Sequence, residues 1–283
     1  MAEKYDIAVL GGGPGGYVAA IRAAQMGAKV ACIEEDKLGG ICLNWGCIPT
    51  KTFIATAHLY RKIQDAAEFG IDIAGTPQIN LAKMVERKNK VVNELVSGIG
   101  FLFKSYGVTT YNGFGYFDAK NKLAVDMQDG TTKVIEADKI IVATGSRPMN
   151  IPAFPFNGNT IVSSDELIYP KSIPATMTII GGGVIGCEFA CLLAQLGTKV
   201  NVVEMLPNLL PLEDVDSSKM IERELKKHGA EIFTGEKSTF RGRDSGRCCL
   251  QTPVGQSADF GKSAGSDRAV IQYRRHQRRC SET

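Results

Sequence analysis

The sequence predicts an α/β protein with two Rossmann-like dinucleotide-binding units. Three observations lead there. Tyr5–Leu10 reads as a short apolar strand and runs directly into Gly11-Gly12-Gly13-Pro14-Gly15-Gly16. A helical pattern then continues to Met26 and stops at Gly27, and a second strand, 29–33, ends on Glu34. Residues 9–34 and 179–204 align without a gap at a constant offset of 170, with 11 identities in 26 positions.

Each part of this unit has a physical reason. Gly11 makes the tight turn out of the strand. Gly13 lets the backbone approach a pyrophosphate, and Gly16 permits close helix–strand packing. The N–H groups at the helix N-terminus can then hold phosphate oxygens. Glu34, 18 residues after Gly16, can accept hydrogen bonds from a ribose hydroxyl pair. A glycine-rich turn alone would fit many α/β proteins; the complete strand, loop, helix, strand and acid is far more specific.

The repeat supplies the second set. Gly181, Gly183 and Gly186 match Gly11, Gly13 and Gly16, and Glu204 matches Glu34. Two units in one chain imply two dinucleotides. A carboxylate at the ribose position repels a 2′-phosphate, and Met205-Leu206-Pro207-Asn208 brings no arginine or lysine. NAD is therefore expected over NADP. Glu188, two residues after Gly186, has a plain reading as a helix N-terminal acid favoured by the macrodipole.

Between the units lies Gly39–Lys51, GGICLNWGCIPTK, with Cys42 and Cys47 separated by four residues. The spacing suits a loop that folds back onto the first turn of a helix and brings two Cβ atoms within disulfide reach. Pro49 fits that first turn, where its missing N–H costs nothing. A thiol at a helix N-terminus sits in a positive field that favours the thiolate, and Lys51 adds charge. The segment reads as a redox-active dithiol. A zinc site from Cys42, Cys47, Cys187 and Cys191 is the competing reading, but neither half has the usual ligand context, and no metal is expected.

GGxCxNxGCxPxK resembles the active-site segment of the pyridine nucleotide-disulfide oxidoreductases. LNWGCIPTK is most similar to that of the dihydrolipoyl dehydrogenases among them. The resemblance runs over residues 1 to about 236. It implies FAD in the first unit and NAD in the second. It implies that Cys42 exchanges with substrate, that Cys47 donates charge to the flavin, and that Lys51 lies beside the reactive flavin edge, paired with Glu188. Gly115, in Asn112-Gly113-Phe114-Gly115, would touch the adenine side of FAD. Thr144 and Gly145 resemble the ATG motif that closes the flavin domain, though a strand-end turn is as good a reading. The implied activity is reoxidation of protein-bound dihydrolipoamide. The implied partners are the lipoyl-bearing acyltransferase of 2-oxo acid dehydrogenase complexes or a glycine-cleavage carrier, with the enzyme a homodimer. Mercuric and glutathione-type reductases are runners-up; the glutathione type prefers NADP. The other class of reading is an inactive fragment that only binds nucleotide.

Composition sets the outer limits. No apolar run of about 18 residues appears, so no membrane span is expected. No apolar stretch follows Met1, so no secretory signal is expected and the location reads as cytoplasmic. Eight cysteines then fit a reducing compartment, where a lasting pair is usually catalytic. The chain divides into 1–148 for FAD with the dithiol, 149–236 for an incomplete NAD domain, and a tail at 237–283. In the tail Leu, Ile, Val and Phe make up 6 of 47 residues, and eight of the 13 arginines fall there. Such a segment is expected to be disordered, and the abrupt break suggests a frame-shifted reading. The family's interface domain and its His-Glu pair are expected to be absent, since His58, His228 and His276 stand outside the family's His-Pro context. The tail's arginines lack interleaved aromatics, so nucleic acid is not an expected partner.

Overall fold

The computed structural model describes residues 2–152 and 154–235 with their side chains, and beyond them the backbone of strand segments within 239–277. The chain forms two compact units. The first comprises Met1–Pro49, Lys88–Arg147 and Gln277–Thr283; the second comprises Thr50–Arg87 and Pro148–His276. A linear reading places 50–87 with the first nucleotide unit, whereas this stretch groups with the second.

In the first unit β1 (Glu3–Leu10) leads into α1 (Pro14–Gln25), then β2 (Val30–Glu34) and α2 (Gly40–Asn44). α3 (Cys47–Gln64) begins at its end, and α4 (Leu81–Ser105) returns the chain to it. Three strands follow: β3 (Thr109–Ala119), β4 (Lys122–Met127) and β5 (Thr132–Val142). β1 lies parallel between β2 and β5, and β3 pairs first with β2 in parallel and then with β4 antiparallel. β4 closes onto β5, making a five-stranded barrel. Strands β3 and β5 are 11 residues each because each serves two neighbours in succession. Tyr5, Leu10, Ile33, Leu123 and Ile135 fill the barrel. On the outer face, Val9, Cys32 and Leu43 pack with Ile99 and Phe103 of α4.

After β6 (Ser146–Pro148), the second unit contains β7 (Ile161–Val162), α5 (Ser164–Leu167), β8 (Thr176–Ile180), α6 (Val184–Gln195), β9 (Lys199–Glu204), α7 (Val215–Lys227) and β10 (Glu231–Thr234). α5 starts in a capping box, with the side chain of Ser163 and that of Glu166 each accepting from the other's end of the turn. α7 is capped by Asp214, whose carboxylate accepts from the Asp216 amide at 2.9 Å. Phe53 and Met84 line an apolar crevice with Phe189 and Leu193 of α6, which explains why 50–87 belongs here.

The tail contributes β11 (Thr239–Asp244), β12 (Arg247–Gln251), β13 (Ser257–Ala258), β14 (Arg268–Gln272) and β15 (Arg275–Gln277). Composition predicts no regular structure there. The difference is clearest at β14, which lies parallel between β7 and β8, giving the order β10-β9-β8-β14-β7. Backbone pairing to β7 and β8 supplies hydrogen bonds that do not depend on side-chain composition. The tail's side chains lie outside the described residues.

Candidate functional site

The first glycine loop is held from three sides. The Gly11 amide donates to the Ile33 carbonyl at 2.8 Å. Gly11 has φ +107°, and a Cβ there would fall 2.2 Å from the Ala143 carbonyl oxygen. A Cβ on Gly16 would fall 1.8 Å from the Gly11 oxygen, so both positions admit glycine alone. Gly13 differs: the atom nearest to an added Cβ is the Gly40 Cα at 3.7 Å. The backbone at Gly13 is thus open to a ligand, at the start of α1, where the first N–H groups have no partner within the helix.

The second loop repeats this arrangement. The Gly181 amide donates to the Val203 carbonyl at 2.8 Å. A Cβ on Gly186 would lie 2.0 Å from the Gly181 oxygen, while one on Gly183 would meet nothing within 4 Å. The residues of both loops therefore fit a dinucleotide pyrophosphate: a tight turn, one open glycine, and a helix N-terminus behind it.

The acids do more than the sequence suggests. Glu34 accepts the Gly12 amide at 2.7 Å on one oxygen and the Asp36 amide at 2.9 Å on the other. Glu204 accepts the Gly182 amide at 2.7 Å and the Leu206 amide at 2.8 Å in the same way. Each carboxylate therefore fastens its own loop, and each oxygen keeps a second lone pair for a ribose hydroxyl.

The dithiol segment is anchored to the first loop. The Gly39 amide donates to the Gly12 carbonyl at 2.8 Å. Gly40, with φ +55°, sits so close to the loop that a Cβ would fall 2.7 Å from the Gly13 Cα. Cys42 is half-buried on α2, and Cys47 is exposed as the first residue of α3. Asn44 enters the sequence reading only as a letter of the GGxCxNxGCxPxK motif, without a role, and Trp45 and Asp36 have none there. Asn44 is buried and donates to two backbone carbonyls, and the Trp45 indole N–H donates to Asp36 at 3.1 Å.

In the second unit Lys51 of α3 is ion-paired with Glu188 of α6. Thr144 and Gly145 are exposed just past β5. Gly115 faces inward: a Cβ would fall 2.5 Å from Leu10 Cδ1 and 2.9 Å from Ile33 Cγ2. Its lack of a side chain is thus required by packing beneath the loop. Cys32 and Cys187 are buried, and burial pushes both thiols up to about 12, with Glu34 and Glu204 adding to the effect. Burial also raises Cys191, against a hydrogen bond from Gln195. Among the described residues no three or more His, Cys, Asp or Glu gather as a metal site, and no helix is long and apolar enough to cross a membrane.

Residues 5–260 match the profile of the pyridine nucleotide-disulphide oxidoreductase family. A dihydrolipoyl dehydrogenase from Acholeplasma laidlawii is 42% identical over 239 residues, covering 83% of this chain and 69% of that protein. One from Trypanosoma brucei brucei is 38% identical over 277 residues, 96% of this chain and 58% of its own length. Among solved structures, LpdA from Mycobacterium tuberculosis superposes with a TM-score of 0.83 at 26% identity, covering 97% of this chain and 59% of that one. The HOCl-induced flavoprotein disulfide reductase RclA from Escherichia coli, as its Cu(II) complex, gives 0.77 at 26% identity, covering 96% and 57%. The chain spans about half the length of most curated relatives it matches, as with a Bacillus subtilis dihydrolipoyl dehydrogenase, of which it covers 52%.

Proposed function

Because this chain belongs to the pyridine nucleotide-disulphide oxidoreductase family, we propose that it carries the cofactor-binding and dithiol machinery of a dihydrolipoyl dehydrogenase, with FAD at the first glycine loop and NAD at the second. The observation that carries this reading is the duplicated loop-and-carboxylate arrangement, joined in the first unit to the dithiol segment through Gly40 and Gly13. Gly13 and the N-terminus of α1 hold one pyrophosphate; Gly183 and the N-terminus of α6 hold the other. Glu34 and Glu204 each offer their remaining lone pairs to a ribose. The negative charge of Glu204 disfavours a 2′-phosphate and so selects NAD.

The thiol chemistry follows from the two cysteines. A thiolate of the dihydrolipoyl group attacks the Cys42 sulfur of a Cys42–Cys47 disulfide, and Cys47 leaves as thiolate. The second substrate sulfur then displaces Cys42 and closes the substrate disulfide. Two electrons and two protons have left the substrate, and the protein holds a dithiol. FAD bound at the first loop would supply two-electron redox chemistry between the dithiol and NAD. Lys51, one helical turn after Cys47, keeps positive charge near that thiolate, and Glu188 fixes the ammonium.

Within this reading the substrate is a lipoyl arm of an acyltransferase or glycine-cleavage carrier, and the working form is a cytoplasmic homodimer. The test is reconstitution of the purified chain with FAD, followed by dihydrolipoamide and NAD. Bound yellow flavin that dihydrolipoamide bleaches, with the bleaching lost in Cys47→Ser, supports the reading. Flavin that binds but is never reduced by dihydrolipoamide leaves only nucleotide binding.

A further inference from the structure

α2 is too short to hold itself together. Five residues make barely one turn, and an isolated turn does not persist in water. Its position must therefore come from ties to the rest of the first unit. Leu43 is one, buried against Val9 and Phe103. Asn44 is the polar one. It is 5% exposed, and its amide nitrogen donates to the Leu38 and Gly40 carbonyls, each at 3.0 Å. Those two carbonyls flank Gly39, whose amide is bonded to Gly12, and Gly40 is the residue packed on Gly13.

We infer that Asn44 is a positioning residue for the dithiol: the two hydrogen bonds of its buried amide hold the Leu38–Gly40 turn against the glycine loop, and so hold Cys42 where it can close onto Cys47. The inference rests on the reading of Cys42 and Cys47 as a redox couple. It goes beyond that reading by giving a residue without redox chemistry control of the couple's equilibrium. Only a side chain with two donors on one short stem satisfies both carbonyls. A leucine fills the same space and donates nothing. An ionised aspartate faces both carbonyls with negative charge, but a protonated one regains a single donor.

The test is the equilibrium between dithiol and disulfide in glutathione buffers, read by trapping and peptide mass mapping of the Cys42–Cys47 pair in the full chain. Asn44→Leu is expected to weaken the disulfide about tenfold, raising its potential by about 30 mV. Asn44→Asp is expected to match it at pH 8 and to move back toward the wild-type value, measured at the same pH, as the pH falls. Leu123→Ala, in the barrel core away from α2, is the control for general destabilisation. Should Asn44→Leu not fold, Asn44→Ser, which keeps one donor, is expected to shift the couple in the same direction by less. A wild-type equilibrium in the Asn44 variants, or an equal shift in Leu123→Ala, overturns the inference while leaving the couple intact. If the wild-type chain forms no Cys42–Cys47 disulfide, the proposed function and this inference fall together.

Discussion

Lys51 is ion-paired with Glu188, 137 positions away in the chain. The lysine side chain is 57% exposed and the glutamate 23%, so the pair adds at most about 1 kcal/mol to stability. Its value lies in where the charge sits. Lys51 stands four residues after Cys47 on α3, on the same helix face. A unit charge about 6 Å away in water contributes roughly 0.7 kcal/mol, or about threefold in a rate. Lys51→Met is expected to slow alkylation of Cys47 at pH 7 about threefold. Glu188→Gln, which leaves the ammonium without its counter-charge, is expected to speed it by up to the same factor. Both variants should melt near the wild-type temperature, and iodoacetamide kinetics at single-cysteine resolution would measure the rates.

Burial makes two other cysteines poor nucleophiles. Cys32 and Cys187 are pushed from 9.0 to about 12 by burial. In reduced protein at pH 8, Cys47 should be alkylated well before either of them. The same shifts make the fold alkali-sensitive. The protonated thiols contribute stability that is fully present below pH 9 and is lost as the pH rises toward 12. The melting temperature should therefore fall above pH 9, and less steeply in a Cys32→Ala, Cys187→Ala double variant.

Much of this site was legible in the sequence because it depends on local backbone demands. A glycine at φ +107° or +108°, as at Gly11 and Gly181, leaves a mark that no other residue can replace. The gapless repeat stopped at Glu34 and Glu204 for an equally local reason. The structural repeat continues, but one residue out of step: Leu38 packs over Gly12 as Leu209 packs over Gly182, an offset of 171. Gly39 then donates to the Gly12 carbonyl as Leu210 donates to that of Gly182, each at 2.8 Å. The second unit makes this latch with a leucine at φ +48°, where the first uses a glycine. Side-chain hydrogen bonds were harder to read. Nothing in the spacing of Asn44 announces its two bonds to the Leu38 and Gly40 carbonyls, which depend on the turn formed at Gly39, and nothing in Thr50–Arg87 announces which unit it joins, since that is decided by packing with distant residues. β14 was missed because its partners, β7 and β8, lie about a hundred residues earlier.

The approach of Gly40 to Gly13 gives a direct test of the link between dithiol and loop. Gly40→Ala places a Cβ 2.7 Å from a backbone atom and holds an L-residue at φ +55°. The backbone conformation alone costs about 1–2 kcal/mol, and relief of the clash must move α2 or the loop. Urea denaturation is expected to show a loss of about 2 kcal/mol or more. FAD affinity, read by quenching of flavin fluorescence, is expected to fall with it. Gly27→Ala is the contrast, because Gly27 also has positive φ but has nothing within 4 Å of an added Cβ. It should lose stability and spare flavin binding.

Gly183 and Gly186 separate folding from nucleotide binding in the second unit. Gly186→Ala drives a Cβ to 2.0 Å from the Gly181 oxygen, so the helix cannot approach its strand and the unit is expected to be severely destabilised. Gly183 has an ordinary φ of −72° and open space in front of it. Alanine is a poorer N-cap than glycine, so Gly183→Ala should cost up to about 1 kcal/mol of stability. The new methyl nevertheless stands where a pyrophosphate would approach. Calorimetric titration with NADH is expected to show at least a tenfold loss of affinity in this variant, with flavin binding at the first loop unchanged. Unchanged NADH affinity in a well-folded Gly183→Ala chain would place the nicotinamide nucleotide somewhere other than this loop.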